Sequence, residues 1–183
     1  MTFCWTSHRF AGGALALDVA NSVILRFDAE KSVDRFAVPE QVETFADAAM
    51  KLCAERDRFP ALTAPAPTNR DTLLELRETI DRYFRGCIID GKGDDGRLAD
   101  LLFACGSALR AFPMAESLAN ATAHSALTLI AGQDRDRLRI CGNCGWLFID
   151  RSKNRSRIWC DMAVCGNRQK AAKHYRRKKE TAS

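Results

Sequence analysis

No apolar run in this 183-residue chain approaches the roughly 20 residues that a bilayer-spanning helix requires. The opening MTFCWTSHRF lacks the basic start and long apolar stretch of a secretory leader. Both absences predict a cytoplasmic protein with no membrane partner. Histidine is scarce, and His8, His124 and His174 stand apart, with no Asp, Cys or Ser pattern beside them that would build a catalytic pair. A phosphate-cradling glycine loop is also missing. The expectation is therefore a protein that is not an enzyme. Nothing in its helical stretches repeats at a fixed long period.

What is present is a chain of globular composition, 46% hydrophobic and 28% charged, so long disordered tracts are not expected. Its length suits one ordinary domain with an appendage, or two small ones. The net charge of +5 conceals a division. Between Arg137 and Lys179 thirteen Lys or Arg stand against Asp150 and Asp161, a net of +11, whereas residues 1–136 net −5. A basic segment on a mildly acidic body points to a polyanion as partner of that segment.

Apolar spacing reads as helix over the first 130 or so residues. In LALDVANSVI, Leu15, Val19 and Val23 recur at spacing four, and Val42, Phe45, Ala49 and Leu52 repeat similarly. Residues 59–69, with three prolines, predict a loop ending at the N-cap candidates Thr68 and Asn69. Leu73, Leu76, Ile80, Phe84 and Cys87 then predict a helix closed by DGKGDDG. Leu98, Leu101, Leu102, Cys105, Leu109 and Phe112 form a second stripe, interrupted at Pro113. Residues 115–131 supply a third, with Leu118, Ala121, Thr122, Ser125 and Leu129 inward.

The eight cysteines divide into two groups. Cys4, Cys53, Cys87 and Cys105 are isolated in sequence, and the last three lie on or near apolar stripes, as small buried hydrophobes do. Cys141, Cys144, Cys160 and Cys165 instead form Cys-x2-Cys, a gap of 15, then Cys-x4-Cys, a spacing suited to one zinc ion. Four protein thiolates leave no open position for water, so the metal is expected to be structural. Zinc leads two alternatives. A redox dithiol would follow a strand in a βαβ unit that is absent here, and iron–sulfur clusters use other typical spacings.

Between the cysteine pairs, the run Trp146, Leu147, Phe148 and Ile149 predicts a strand, with residues 137–140 as its hairpin partner and the first pair in the turn. The second pair would open a helix running into the basic tail. The predicted fold is thus mainly α: a helical domain at 1–133, then a small zinc-bound hairpin-plus-helix module, treble-clef-like, at 134–183.

The run CGWLFID, then SKNRSR, WC and CGNR, is similar to the CGNR zinc finger, a bacterial module named for the tetrapeptide standing here as Cys165, Gly166, Asn167 and Arg168. LALDVANS, residues 15–22, resembles the opening of the ABATE domain that usually precedes it. The resemblance implies a transcription regulator, sometimes described as stress-induced, with a finger for DNA and a helical domain beside it. Two departures stand out: Ile158 replaces a second Arg usual before the Trp-Cys pair, and the first two cysteines are closer together than in many members.

On a helix from Cys165, about 100° per residue places Gln169, Lys170, Lys173, Arg176 and Arg177 on one side as the candidate nucleic-acid face. Ala171, Ala172 and Tyr175 lie opposite and are expected to pack on Trp146, Phe148 or Trp159. Arg168 falls near that second side, which gives it a structural role, pairing with Asp150 or Asp161. Arg151, Lys153, Arg155 and Arg157 form a second basic cluster in the loop, suited to phosphate contacts. DNA is the expected partner; RNA or protein is the alternative, because basic helices and exposed aromatics also serve single strands. A homodimer would suit a regulator reading a repeated site. Asp18 and Asn21, polar residues near an apolar stripe, are candidates for a small-ligand pocket in the helical domain, or for a hydrogen-bonded pair in a helix interface.

Overall fold

The computed structural model describes residues 3–181 and is mainly α. Its helices are α1 (Leu15–Ala20), α2 (Pro39–Leu52), α3 (Arg70–Asp90), α4 (Asp95–Ala111), α5 (Leu118–Ala131) and α6 (Asn167–Thr181). Two short antiparallel ribbons accompany them: β1 (Val23–Ile24) with β2 (Val33–Asp34), and β3 (Leu138–Ile140) with β4 (Leu147–Ile149). Among the described residues no helix is long and apolar enough to cross a membrane.

The helix limits follow local chemistry. Pro39 opens α2, where its missing N–H costs nothing. Gly91, at φ +69, ends α3 in the left-handed conformation that glycine adopts freely. Asp94 caps α4 by accepting from the Arg97 N–H at 2.7 Å. Two limits differ from the sequence reading. Helix α1 stops at Ala20, because Val23 and Ile24 pair with Asp34 and Val33 as β-branched strand residues. Helix α5 begins at Leu118 rather than 115, because this stretch is drawn against the proline-rich loop: Thr63 N–H donates to Glu116 O at 2.7 Å and Leu118 N–H to Thr63 O at 2.9 Å. Asn69 holds the N-cap position of α3 without a side-chain cap bond.

The core is built around α1, every residue of which is buried, with α3 and α5 packed against it and α4 against both. Leu73, Leu76, Ile80 and Phe84 of α3 fill its centre. The N-terminal segment joins through an aromatic cluster: Trp5 lies 4.9 Å and Phe10 5.0 Å from the Phe45 ring, and Trp5 Nε1 donates to Gln41 O at 3.0 Å. The buried Arg77 grips Asp34 with two bonds of 2.6 and 2.8 Å, tying β2 to α3. Cys53 and Cys105 are buried, Cys87 is half-buried and Cys4 is exposed.

Strand β4 of the second ribbon is buried on both faces. Period-two alternation sends Leu147 and Ile149 into the helical core, while Trp146 and Phe148 pack in a second apolar cluster with the four cysteines. Asn21 fastens the hairpin from the end of α1. Its Nδ2 donates to Leu147 O, and its Oδ1 accepts from Leu147 N–H, both at 2.9 Å. The side-chain amide thus occupies the place of a neighbouring strand.

Candidate metal centre and nucleic-acid interface

Cys141 follows β3, and the chain reverses so that Gly145 N–H donates to Cys141 O at 2.9 Å and Cys141 N–H to Trp146 O at 2.8 Å. Gly145 has φ +73, and a side chain there would collide with the Phe27 ring. From α3, Arg85, itself held by Asp81, donates to Gly145 O at 2.9 Å. Gly142 N–H donates to Ile158 O at 3.0 Å, which lays the second cysteine segment alongside the first. Asp161 then turns the chain: its Oδ1 accepts from Ala163 and Val164 N–H, and its carbonyl accepts from Cys165 N–H at 2.9 Å. A single π turn, Met162–Gly166, carries Cys165 and leads into α6.

These turns converge the four predicted thiols. The ligand atoms of Cys141, Cys144, Cys160 and Cys165 all lie within 4.8 Å of one another, and all four residues are buried. Cys144 Sγ is 3.7 Å from Cys160 Sγ, which is 3.7 Å from Cys165 Sγ. A tetrahedron with Zn–S bonds of about 2.3 Å has edges of about 3.8 Å, so the sulfur spacing fits one zinc ion. The donor chemistry agrees. Hydrogen bonds from Cys144 and Cys160 push the Cys141 thiol down, the same bonds push Cys144 and Cys160 up, and burial raises Cys165. Four buried thiols at this spacing cannot all ionise without a cation among them. With four sulfurs and no exposed ligand the centre is closed, which suits a structural role.

Its surroundings include residues that sequence spacing does not reveal. Asn143 Nδ2 donates to Cys165 Sγ at 3.3 Å, and Gln169 Nε2 donates to Asn143 Oδ1 at 3.0 Å. His8, more than 150 positions away, places Nε2 3.8 Å from Cys165 Sγ and Nδ1 3.2 Å from Asp161 Oδ2, with its ring 5.1 Å from Trp146. Burial lowers the His8 pKa against the pull of Asp161. Only the CGNC context of Asn143 offered a signal; nothing local marks His8, which reaches the centre because the aromatic cluster docks the N-terminal segment here.

The basic residues divide. Lys153 and Arg155 are exposed. Arg151 is exposed too, and its guanidinium donates to Gly13 O at 3.1 Å and lies 3.5 Å from Asp134 Oδ2. Arg157 is half-buried, donates to Cys160 O at 2.5 Å and stacks 5.5 Å from the Phe148 ring. The loop is organised by the buried Asp150, which accepts from Ser152 N–H at 2.9 Å and Arg157 N–H at 2.8 Å. Against its desolvation, bonds from Ser152 and Arg157 lower the Asp150 carboxyl to about 2. On α6, Lys170, Lys173, Arg176 and Arg177 are exposed, whereas Gln169 is half-buried on Asn143.

Two expectations are corrected. Ala171, Ala172 and Tyr175 do not pack on Trp146, Phe148 or Trp159, since residues 171–179 are all exposed and Tyr175 is 72% so. The zinc knuckle is covered instead by Trp159, with Met162 against Gly166, and this occupies only the root of α6. Arg168 is exposed and pairs with neither Asp150 nor Asp161, whose oxygens are taken by backbone N–H groups and His8. Asp18 and Asn21 line none of the surface clefts described below. Asn21 is spent on Leu147, and the buried Asp18 accepts from Gly12 N–H at 2.9 Å, with desolvation raising its carboxyl to about 8. This placement is that of hydrogen-bonded interface residues.

No curated protein matches the chain. Residues 137–178, the hairpin, the four cysteines and most of α6, match the family model of the CGNR zinc finger.

Proposed function

We propose that the protein binds nucleic acid, duplex DNA in the first place, through a basic surface held by its zinc-bound module, and acts as a transcription regulator. The observation that carries this reading is α6. No acidic residue lies between Asn167 and Lys179, and the helix is exposed from residue 171 to 179. A short polar helix with no packed apolar face is marginal in water alone, and a phosphate backbone would supply counter-charge to Lys170, Lys173 and Arg176. Lys170, Lys173 and Arg176 on α6, with Lys153 and Arg155 in the loop, form the contact set. Gln169, Arg151 and Arg157 hold the module together instead.

When bound, the zinc supplies fixed geometry and no chemistry. The residues of the chain do the rest: Asn143 links Cys165 to Gln169 of α6, and Asp150 shapes the loop. The helical body is proposed as an ABATE-like domain. A cleft of about 470 Å³ lined by Glu55, Arg58, Leu129, Ile149 and Arg151 is the place it offers a small regulatory molecule, and Arg151 joins that cleft to the basic loop. RNA is the second reading, favoured by exposed Tyr175, which offers a stacking platform for single strands.

The test is salt titration of duplex binding by the full zinc-loaded chain. Replacing Lys170, Lys173 and Arg176 by Gln should flatten the slope of log affinity against log salt by about 0.9 per lost phosphate contact. Arg151→Gln should leave it unchanged. Binding with no salt dependence, or an equal loss for Arg151→Gln, would contradict the assignment, and tighter binding to single-stranded RNA in direct competition would shift it to the second reading.

A further inference from the structure

The N-terminal segment brings a cation to the zinc module. Arg9, in the 3-10 turn Ser7–Phe10, holds its guanidinium 4.6 Å above Phe3, and Arg35 lies 4.2 Å from the same ring. Among the described residues no carboxylate pairs with Arg9, Arg35 or Arg168. Arg9 is pushed below its ordinary range, first by burial and then by the charges of Arg35 and Arg168. The nearby Asp161 is already committed to His8 and to the start of the π turn. Arg9 and Arg168, which line one cleft, thus have no carboxylate partner among the described residues.

Between Arg9 and Arg168 opens a cleft of about 280 Å³, also lined by Thr6, His8, Trp146 and Val164. Trp146, only 5% exposed, has its Nε1 buried without a hydrogen-bond partner. A donor in that condition is rare in folded proteins and marks a place where an acceptor is wanted. Two cations at one cleft, with the Trp146 side chain and its unpartnered N–H in the wall, suit an anion with several acceptor oxygens.

We propose that this cleft seats a single backbone phosphate of the bound nucleic acid, gripped between Arg9 of the helical body and Arg168 of the finger helix. The inference rests on the nucleic-acid reading above and extends it, because the body then takes part in binding directly. Arg168 becomes a phosphate ligand in place of the structural partner the sequence suggested, which its exposure allows.

The experiment uses the full zinc-loaded chain, comparing wild type with Arg9→Gln, Arg168→Gln and the double variant in salt titrations on duplex DNA. Each single change should weaken binding several-fold and lower the salt slope by about 0.9, and the double should lose little more, since both groups hold one phosphate. A wild-type slope in the double variant, or losses that add in full, would overturn the shared site. Wild-type binding without salt dependence would overturn this proposal and the broader reading together, whereas a salt-dependent wild type with unaffected variants sinks only this one. Should Arg9→Gln lose zinc or unfold, Arg9→Lys and the exposed Arg168→Gln carry the test: the first should keep the slope, the second lower it. A site for free anion would appear instead as a rise in melting temperature with inorganic phosphate at fixed ionic strength, abolished in the double variant while the DNA slope stays unchanged; that result would overturn the assignment to nucleic acid.

Discussion

Removing zinc with a chelator is expected to melt the cysteine turns and α6 while α3 and α4 persist. The turns that converge the cysteines lean on the metal site itself: Phe148 and Trp146 pack on the cysteines, and the root of α6 is held by Asn143 and the π turn. Structural zinc contributes on the order of 10 kcal/mol or more in small finger peptides. Here Leu138, Leu147 and Ile149 lie in the helical core, so the hairpin should survive as a strained, partly ordered edge rather than vanish. Hydrogen exchange would show it. The amides of Cys141, Gly145 and Cys165 should lose protection together, those of Leu76 and Ile80 should not, and Cys165→Ser should reproduce the pattern in the presence of zinc. Uniform loss across the chain would mean that the body cannot fold without the metal.

Asn21→Leu is expected to be among the most destabilising changes outside the cysteines. The substitution keeps the branched shape but leaves both the N–H and the carbonyl of Leu147 buried and unpaired. An orphaned buried group costs about 1–3 kcal/mol, so the pair should cost about 2–6 kcal/mol, a fall in melting temperature on the order of 10 °C for a chain of this size. Zinc content should be unchanged, because no cysteine contact is touched. A loss under 1 kcal/mol would show that apolar packing alone docks the hairpin.

That single amide also shows where sequence reasoning stops. Helices α2 to α5 were legible because Val42, Phe45, Leu73, Ile80 and Leu129 recur with the period of a buried face. The zinc centre was legible because its ligands lie in two local pairs, and spacing within a pair is a matter of a few bonds. Asn21 also stood out, as a polar residue on an apolar stripe, yet its partner lies 126 positions away and no periodicity announces it. His8 stayed hidden for the same reason. The packing side of α6, Ala171, Ala172 and Tyr175, was misjudged because a helical wheel assumes that one side is buried, whereas residues 171–179 are all exposed. Arg151 and Arg157 read as contact residues by charge, and charge alone does not disclose that each also donates to a nearby carbonyl.

The central claim is that four sulfurs form a closed scaffold whose work is to present basic surfaces. X-ray absorption at the zinc edge of the purified chain tests it most directly. The account predicts one zinc per chain with four sulfur neighbours at about 2.3 Å and no lighter ligand. His8 Nε2 lies only 3.8 Å from Cys165 Sγ, so a three-sulfur shell completed by nitrogen is a concrete rival. A nitrogen or oxygen at about 2.0–2.2 Å in the first shell would contradict the closed centre and reopen the question of chemistry at the metal.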